Sequence, residues 1–484
     1  MDYNAKVDKG VVVKSLSWKI MERMFSQSIS LIIQIILARL LQPEDFGTLA
    51  IILAIINYSS IFVQSGLSTA IVQKETLDEL DVSTCLVASL TIAAFFYIFL
   101  FFISPIIADH YNLSGLKFSI RIMSLVIFLN AINSVQTAVL SRRMQFKRLF
   151  WRSMIAVPIS GAIGIIMAYL KFGIWALVAY NLSNMLIVVI VMSIGSGMKI
   201  KFAFSWERAK KIYAFSGKIL LTGLISGTHD VIRTMTIGKR YTPNDLAYYD
   251  KAYTYSYYVV NIVNSSVSSV LLPAFSRKQT DVVALKGMAR RSIKISAFIM
   301  FPILFGVAAA ANSLVFVLLT EKWASCVPFL MVFSMLRIPG CLMCIDKQVY
   351  YALGRSGINL IYEIGLLIMN ITVLLIALQI STFAIAIGAL IVEILGGFVI
   401  FCISSKIYGY SLFERIVDVW HPALNASIMA VCIWSIKYIG FNNYVTLIVQ
   451  VLVGIFSYLL LAKISKDDNL NYVSNVIKEG LGIC

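Results

Sequence analysis

The sequence predicts an all-α polytopic membrane protein. About fourteen transmembrane helices form two six-helix lobes in a parallel pseudo-twofold repeat, with two further helices at the C-terminus. Three observations predict it. Of 484 residues, 59% are apolar and only 13% are charged, where soluble domains carry about 25% charged residues. The apolar residues fall into fourteen runs, most of them near the ~20 residues that a helix needs to cross a bilayer. A short motif also recurs 200 residues apart, at equivalent places in the order of runs.

The apolar excess, with a mean hydropathy of +0.85, excludes a soluble enzyme, a disordered chain, a coiled coil and a disulfide-stapled secreted domain. A barrel is excluded because its strands would alternate polar and apolar residues about every ten positions. The seven cysteines are odd in number and scattered through apolar segments, except for Cys484. Cys341 and Cys344 form a CxxC without a second pair, so free thiols and no metal site are expected. Met1 to Lys19 has no apolar core long enough for a cleaved signal peptide.

The runs are 16–41, 46–73, 82–107, 117–139, 149–171, 173–195, 212–238, 246–272, 293–319, 325–352, 358–379, 381–405, 420–439 and 443–463. With the N-terminus in the cytoplasm, most of the 41 Lys and Arg fall on cytoplasmic segments. The richest are Arg142 to Arg148, Lys199 to Lys218 and Arg277 to Lys294. This bias places both termini in the cytoplasm. The net charge of +17 is then topology and contact with anionic lipid headgroups. Nucleic acid would require a folded basic domain with stacking aromatics, so it is not expected as a partner.

The outer loops are short, and no GxSxG, HExxH or GxxxxGK motif is present. The expectation is a transporter rather than an enzyme, without a cofactor, either downhill or coupled to a proton or sodium gradient.

Gln42-Pro43-Glu44-Asp45-Phe46-Gly47 aligns with Thr242-Pro243-Asn244-Asp245-Leu246-Ala247. The alignment runs without a gap to Gln64-Ser65-Gly66-Leu67-Ser68 and Asn264-Ser265-Ser266-Val267-Ser268. Six spans separate the copies, and an even number gives both the same orientation. The expected domains are 1–195, an N-terminal lobe; 196–211, a cytoplasmic linker; 212–405, a C-terminal lobe; and 406–484, two extra helices and a cytoplasmic tail. Ser205 is expected to cap a short interfacial helix start in the linker. A substrate cavity is expected between the lobes.

Several stretches carry a family resemblance. They are Ala38 to Gly47, Gly66 to Lys74, Arg143-Met144-Gln145-Phe146-Lys147, Leu272-Pro273-Ala274-Phe275-Ser276-Arg277, and Glu321-Lys322-Trp323 with Pro328. Through them the chain resembles the polysaccharide-unit exporters of the multidrug/oligosaccharidyl-lipid/polysaccharide (MOP) superfamily, in particular the colanic acid and teichuronic acid exporter type. The resemblance implies a flippase for undecaprenyl-pyrophosphate-linked oligosaccharide repeat units. It would work by alternating access in the bacterial inner membrane and serve O-antigen, capsule or exopolysaccharide synthesis. The implied partners are the lipid-linked oligosaccharide, membrane lipids and the polysaccharide polymerase machinery.

The spans carry polar groups suited to such a substrate. Arg23, Ser26, Gln27, Ser30 and Gln34 share one face of the first span, since residues three and four apart are neighbours on a helix. Thr222, Ser226, Asp230 and Arg233 do so on the seventh. The second and eighth spans add Asn57, Ser60 and Gln64, and Asn261, Asn264 and Ser268. In lipid such faces must meet protein or a watery cavity. The competing reading is interhelical hydrogen bonding that only holds the bundle.

Arginine's planar fork suits a pyrophosphate. Arg23, ~6 Å inward of Lys19, Arg233, ~9 Å from Lys239, and the deepest, Arg337, are expected to form a ladder that receives, holds and releases it. Lys347 is a fourth candidate cation. The bland alternative pairs Arg23 with Glu22, Arg233 with Asp230 and Lys347 with Asp346. Glu22, Asp230, Asp346, Glu363 and Glu393 are candidates for ion coupling. Tyr249, Tyr253 and Tyr257 lie on one face of the eighth span, either in the interfacial aromatic belt or stacked on sugars. The rival functions are a drug/cation antiporter or a peptidoglycan-precursor flippase of the same superfamily. A membrane-embedded polysaccharide polymerase or ligase is disfavoured by the short outer loops.

Overall fold

The computed structural model describes residues 9–64, 77–113, 115–196 and 203–465, with 71, 74, 467, 469 and 470. Outside the described residues lie 197–202 of the expected linker, most of the matched stretch 66–74, and the tail from 471 with Cys484. The chain divides into two compact units, Met1–Ala247 and Tyr248–Cys484. Among the described residues all regular structure is helical.

The first unit contains α1 (Lys9–Leu40), α2 (Pro43–Gln64), α3 (Glu79–Tyr111), α4 (Leu116–Met123), α5 (Leu125–Arg142), α6 (Phe146–Tyr169), α7 (Ile174–Ser196) and α8 (Trp206–Arg240). The next helix, α9 (Pro243–Ser276), starts at the end of the first unit and runs into the second. There follow α10 (Val282–Ala309), α11 (Ala311–Leu318), a 3-10 turn at Glu321–Cys326, α12 (Val327–Ala352), α13 (Ser356–Ala377), α14 (Thr382–Tyr408), α15 (Leu412–Ser435) and α16 (Asn443–Ile464). Among the described residues, twelve helices are long and apolar enough to cross a membrane. The seventh and eighth expected spans form as the helices α8 and α9.

The aligned motif is a helix-start device. Pro43 and Pro243 occupy the first helical position, where a missing N–H is no loss. In each copy the aspartate two residues on accepts from the backbone N–H just before the proline. Gln42 donates to Asp45 at 3.1 Å and Thr242 to Asp245 at 3.2 Å. The two turns touch each other: a Cβ added at Gly47 would lie 1.8 Å from the Pro243 carbonyl oxygen. Only glycine fits that approach.

Helix α8, which the sequence reading assigned to the second lobe, packs here within the first unit. Tyr58 and Thr228 share a hydroxyl hydrogen bond of 3.2 Å, and the Tyr111 hydroxyl donates to the Met235 carbonyl at 3.0 Å. Ser205 holds the N-cap position of α8, but its side chain makes no capping bond. Its N–H donates instead to Thr84 Oγ1 at 3.2 Å. Arg208 bridges Asp78 and Asp81 at 3.1 and 3.0 Å, and these carboxylates hold its guanidinium above the usual range.

Internal prolines free carbonyls that lipid cannot satisfy. Pro105 leaves the Phe101 carbonyl without its helical donor, and Arg121 supplies Nε and Nη2 at 3.2 and 3.1 Å. Pro302 does the same to Phe298, whose oxygen accepts from the Tyr458 hydroxyl at 2.9 Å. Large apolar side chains such as Phe102, Ile194 and Phe456 face outward, as a lipid-facing surface requires.

Candidate functional site

In the second unit, Arg337 lies on α12, ten residues into the helix. Pro339 lies two residues further on. The Arg337 Nη2 donates to the Tyr253 carbonyl at 3.0 Å and its Nε to Ser256 Oγ at 3.3 Å. The guanidinium lies 4.3 Å from the Tyr253 ring centre and 5.3 Å from that of Tyr257, within cation–π range of both. The structure thus brings together the deepest candidate cation and two of the three candidate sugar-stacking rings. Among the described residues, Arg337 forms no ion pair; neutral oxygens and π faces hold it directly, with Glu393 within electrostatic reach.

Tyr249, the third ring of that face, is 1% exposed and packs edge-on against Phe329 and Phe333. It is core, which corrects its place among sugar contacts. Tyr257 is 47% exposed, so its ring is open to a neighbour. Asn261 and Asn264 lie one and two turns further along α9, both half-buried.

Lys347 is paired with Glu363 at 2.7 Å, not with Asp346. Residues adjacent in a helix point about 100° apart and do not face each other. Glu393 lies within electrostatic reach of Lys347, Arg337 and Glu363, and its Oε1 would lie 3.3 Å from a Cβ at Gly340. Two carboxylates therefore surround Lys347, a weaker anion site than Arg337.

Asp346 is fully buried. Arg415 grips both of its oxygens at 2.9 and 2.6 Å, Ser404 donates to it at 2.7 Å, and Tyr408 donates as well. Its oxygens are committed to protein donors, so the expectation of ion coupling at Asp346 is corrected to a structural role. The pair ties α15 to α12. A second ionic cluster joins α15 to α10: Arg290 is bidentate on Asp418 at 2.7 and 2.8 Å, and Lys286 meets Glu414 at 2.9 Å.

In the first unit the pairing of Arg23 with Glu22 fails for the same geometric reason as that of Lys347 with Asp346. Glu22 accepts from Ser153 Oγ at 2.7 Å and faces Arg152 at 3.7 Å, while Arg23 is exposed on another face of α1. The i,i+3 pairing of Arg233 with Asp230 does form, at 2.8 Å. Arg233 is nearly buried and Asp230 is half-exposed, with His229 at 3.7 Å. On α1, Gln27 Oε1 is buried with no hydrogen-bond partner among the described residues, Ser30 bonds the Tyr180 hydroxyl and Gln34 is half-buried; on α2, Gln64 is half-buried and Asn57 is exposed. Ser60 accepts from Asn130 at 3.1 Å, which is bundle-holding of the kind the competing reading describes.

Sequence reasoning missed Arg152, Lys251 and Arg415. Arg152 lies four residues past Arg148 and reads as the end of a basic loop, yet it is buried inside the first unit. Lys251 is 6% exposed, beneath the Tyr255 ring. The signal available for Arg415 was its place between Glu414 and Asp418 ahead of an apolar run.

A family described as polysaccharide biosynthesis protein matches residues 36–328. The succinoglycan biosynthesis transport protein ExoT of Rhizobium meliloti (strain 1021) is 26% identical over 324 residues, 67% of this chain and 66% of that protein. The teichuronic acid biosynthesis protein TuaB of Bacillus subtilis (strain 168) is 22% identical over 325 residues, 64% of this chain and 65% of its own. The chain thus spans about two thirds of the length of these curated relatives. The lipid II flippase MurJ in an inward closed conformation superimposes with a TM-score of 0.77 at 17% identity, covering 92% of this chain and 98% of that one. That likeness is one of fold.

Proposed function

The chain belongs to the polysaccharide biosynthesis protein family, and from that premise we propose that it flips undecaprenyl-pyrophosphate-linked oligosaccharide repeat units across a bacterial inner membrane by alternating access. The single observation that carries this reading is Arg337. It is a cation deep in an apolar helix, un-neutralised by any ion pair among the described residues, and it lies against two tyrosine rings. A desolvated cation is costly in a membrane unless it gains a partner. A pyrophosphate supplies the charge, and the adjoining sugars supply faces for the rings. The relatives' names support the same reading, since one is a succinoglycan transport protein and another a teichuronic acid biosynthesis protein.

Both termini lie in the cytoplasm in this proposal, because the basic segments then sit inside. Glu363 and Glu393, beside Lys347, are the proposed coupling carboxylates for a proton or sodium ion. Deletion of the gene followed by mass analysis of lipid-linked sugars tests the function. Accumulated undecaprenyl-pyrophosphate repeat units on the cytoplasmic leaflet support it. Unchanged lipids with altered drug sensitivity point to an antiporter instead.

A further inference from the structure

Resting on that reading and deepening it, we propose that Arg152 is a further pyrophosphate contact in the first unit, and that Glu22 occupies its place until substrate arrives. The observation is an arginine fork that is covered but not gripped. Arg152 lies on α6, six residues from its start. Its Nη1 donates to Asn133 Oδ1 and Thr137 Oγ1, both at 3.1 Å, so two neutral groups on α5 fix the plane of the guanidinium. The opposite edge, formed by Nε and Nη2, is the one that takes two oxygens of a phosphate or carboxylate in parallel. Among the described residues, Nε has no hydrogen-bond partner, and Nη2 faces Glu22 Oε1 at 3.7 Å. Charge-assisted bonds of this type run at about 2.7–2.9 Å.

Two ion-paired arginines of the second unit, one half-buried and one buried, show what a filled fork looks like. Arg290 holds Asp418 through Nε and Nη2 at 2.7 and 2.8 Å. Arg415 holds Asp346 through Nη1 and Nη2 at 2.9 and 2.6 Å. Glu22 is held more tightly by Ser153, at 2.7 Å, than by the arginine it faces. A carboxylate so placed screens the guanidinium without saturating it. The Arg152 side chain is only 13% exposed and its Nε is buried, so water does not compensate that nitrogen as it would at a surface.

The fork recognises a dianionic group with two oxygens on one face, which a pyrophosphate presents. When that group takes Nε and Nη2, Glu22 keeps its bond to Ser153 and leaves the guanidinium. Glu22 therefore competes with substrate. Its removal should strengthen binding, whereas removal of one member of a purely structural pair should weaken the protein.

The test uses the full chain in phosphatidylethanolamine/phosphatidylglycerol nanodiscs, with undecaprenyl pyrophosphate and inorganic pyrophosphate as probes and the melting temperature recorded for each variant. Glu22→Gln, which retains the Ser153 bond, is expected to bind the lipid probe about three- to tenfold more tightly. Arg152→Gln is expected to weaken it at least about tenfold, with Arg152→Lys between, since lysine keeps the charge and loses the fork. If inorganic pyrophosphate follows the same order, the pyrophosphate itself is what the fork reads. If only the lipid probe follows it, the lipid-linked form is the ligand. Unchanged or weaker binding by Glu22→Gln with an unchanged melting temperature overturns the inference. Binding that is lost in Arg337→Ala but unaltered in both Glu22→Gln and Arg152→Gln overturns it too, and leaves the exporter reading standing. Wild-type protein that binds neither probe overturns both.

Discussion

The Arg337 guanidinium lies 4.3 Å from the centre of the Tyr253 ring, while its Nη2 donates to the carbonyl of that same tyrosine at 3.0 Å. One residue of α9 thus fixes both the plane and the depth of the cation on α12. Replacing Arg337 with alanine removes charge and fork together. Export is expected to fall at least about tenfold, the equivalent of roughly 1.4 kcal/mol or more of lost substrate interaction. Arg337→Lys should retain part of it. Tyr253→Phe, which keeps ring and backbone, should stay near wild type, and Tyr253→Ala should not. Surface polysaccharide per cell, normalised to membrane-inserted protein, reads each variant.

The Asp346–Arg415 pair predicts stability rather than transport. Breaking a buried ion pair from one side leaves an uncompensated charge and costs about 3–5 kcal/mol. Arg415→Met alone should therefore lower the melting temperature of the purified protein sharply. Asp346→Leu combined with Arg415→Met should recover much of that loss. Equal losses in the single and double variants would contradict the structural role.

The Pro302 kink makes a coupled prediction. Tyr458→Phe orphans the Phe298 carbonyl, at a cost of about 1–3 kcal/mol. In a Pro302→Ala background the residue at 302 regains an N–H that bonds this carbonyl within the helix, so the same Tyr458→Phe change should cost less. A double-mutant cycle on thermal stability measures the difference. Additive effects would show that the hydroxyl serves something other than the proline's missing donor.

Gly47 predicts a steric effect. Gly47→Ala places a Cβ 1.8 Å from the Pro243 carbonyl oxygen, and backbone cannot yield as a flexible side chain does. Overpacking of this kind costs about 1–3 kcal/mol. The variant should show a lower melting temperature than Gly357→Ala, where a Cβ meets nothing within 4 Å.

Much of the fold was legible because a bilayer simplifies sequence. Lipid demands long apolar helices, so their existence followed from run lengths alone, and the Pro-x-Asp repeat marks real helix starts at Pro43 and Pro243. The polar faces on α8 and α9 were legible because polar residues at helical spacing stand out in an apolar run. Partners were harder to read. Linear adjacency suggested Glu22 with Arg23 and Asp346 with Lys347, but neighbours along a helix diverge, and the true partners are 130 and 69 residues away, at Arg152 and Arg415. Only the i,i+3 pair of Arg233 and Asp230 was readable, because helical geometry fixes that one locally. The tyrosine face was half legible: period four placed Tyr249, Tyr253 and Tyr257 together, and only tertiary packing buried the first of them.

The central claim is transport of a lipid-linked oligosaccharide, and one measurement tests it most directly. Spheroplasts lacking the gene, complemented with wild type or Arg337→Ala, are analysed by mass spectrometry for undecaprenyl-pyrophosphate repeat units on each leaflet. The account predicts cytoplasmic accumulation in the deletion strain, clearance by wild type, and persistent accumulation with Arg337→Ala at equal protein level. Equal leaflet distributions in all three strains would contradict it.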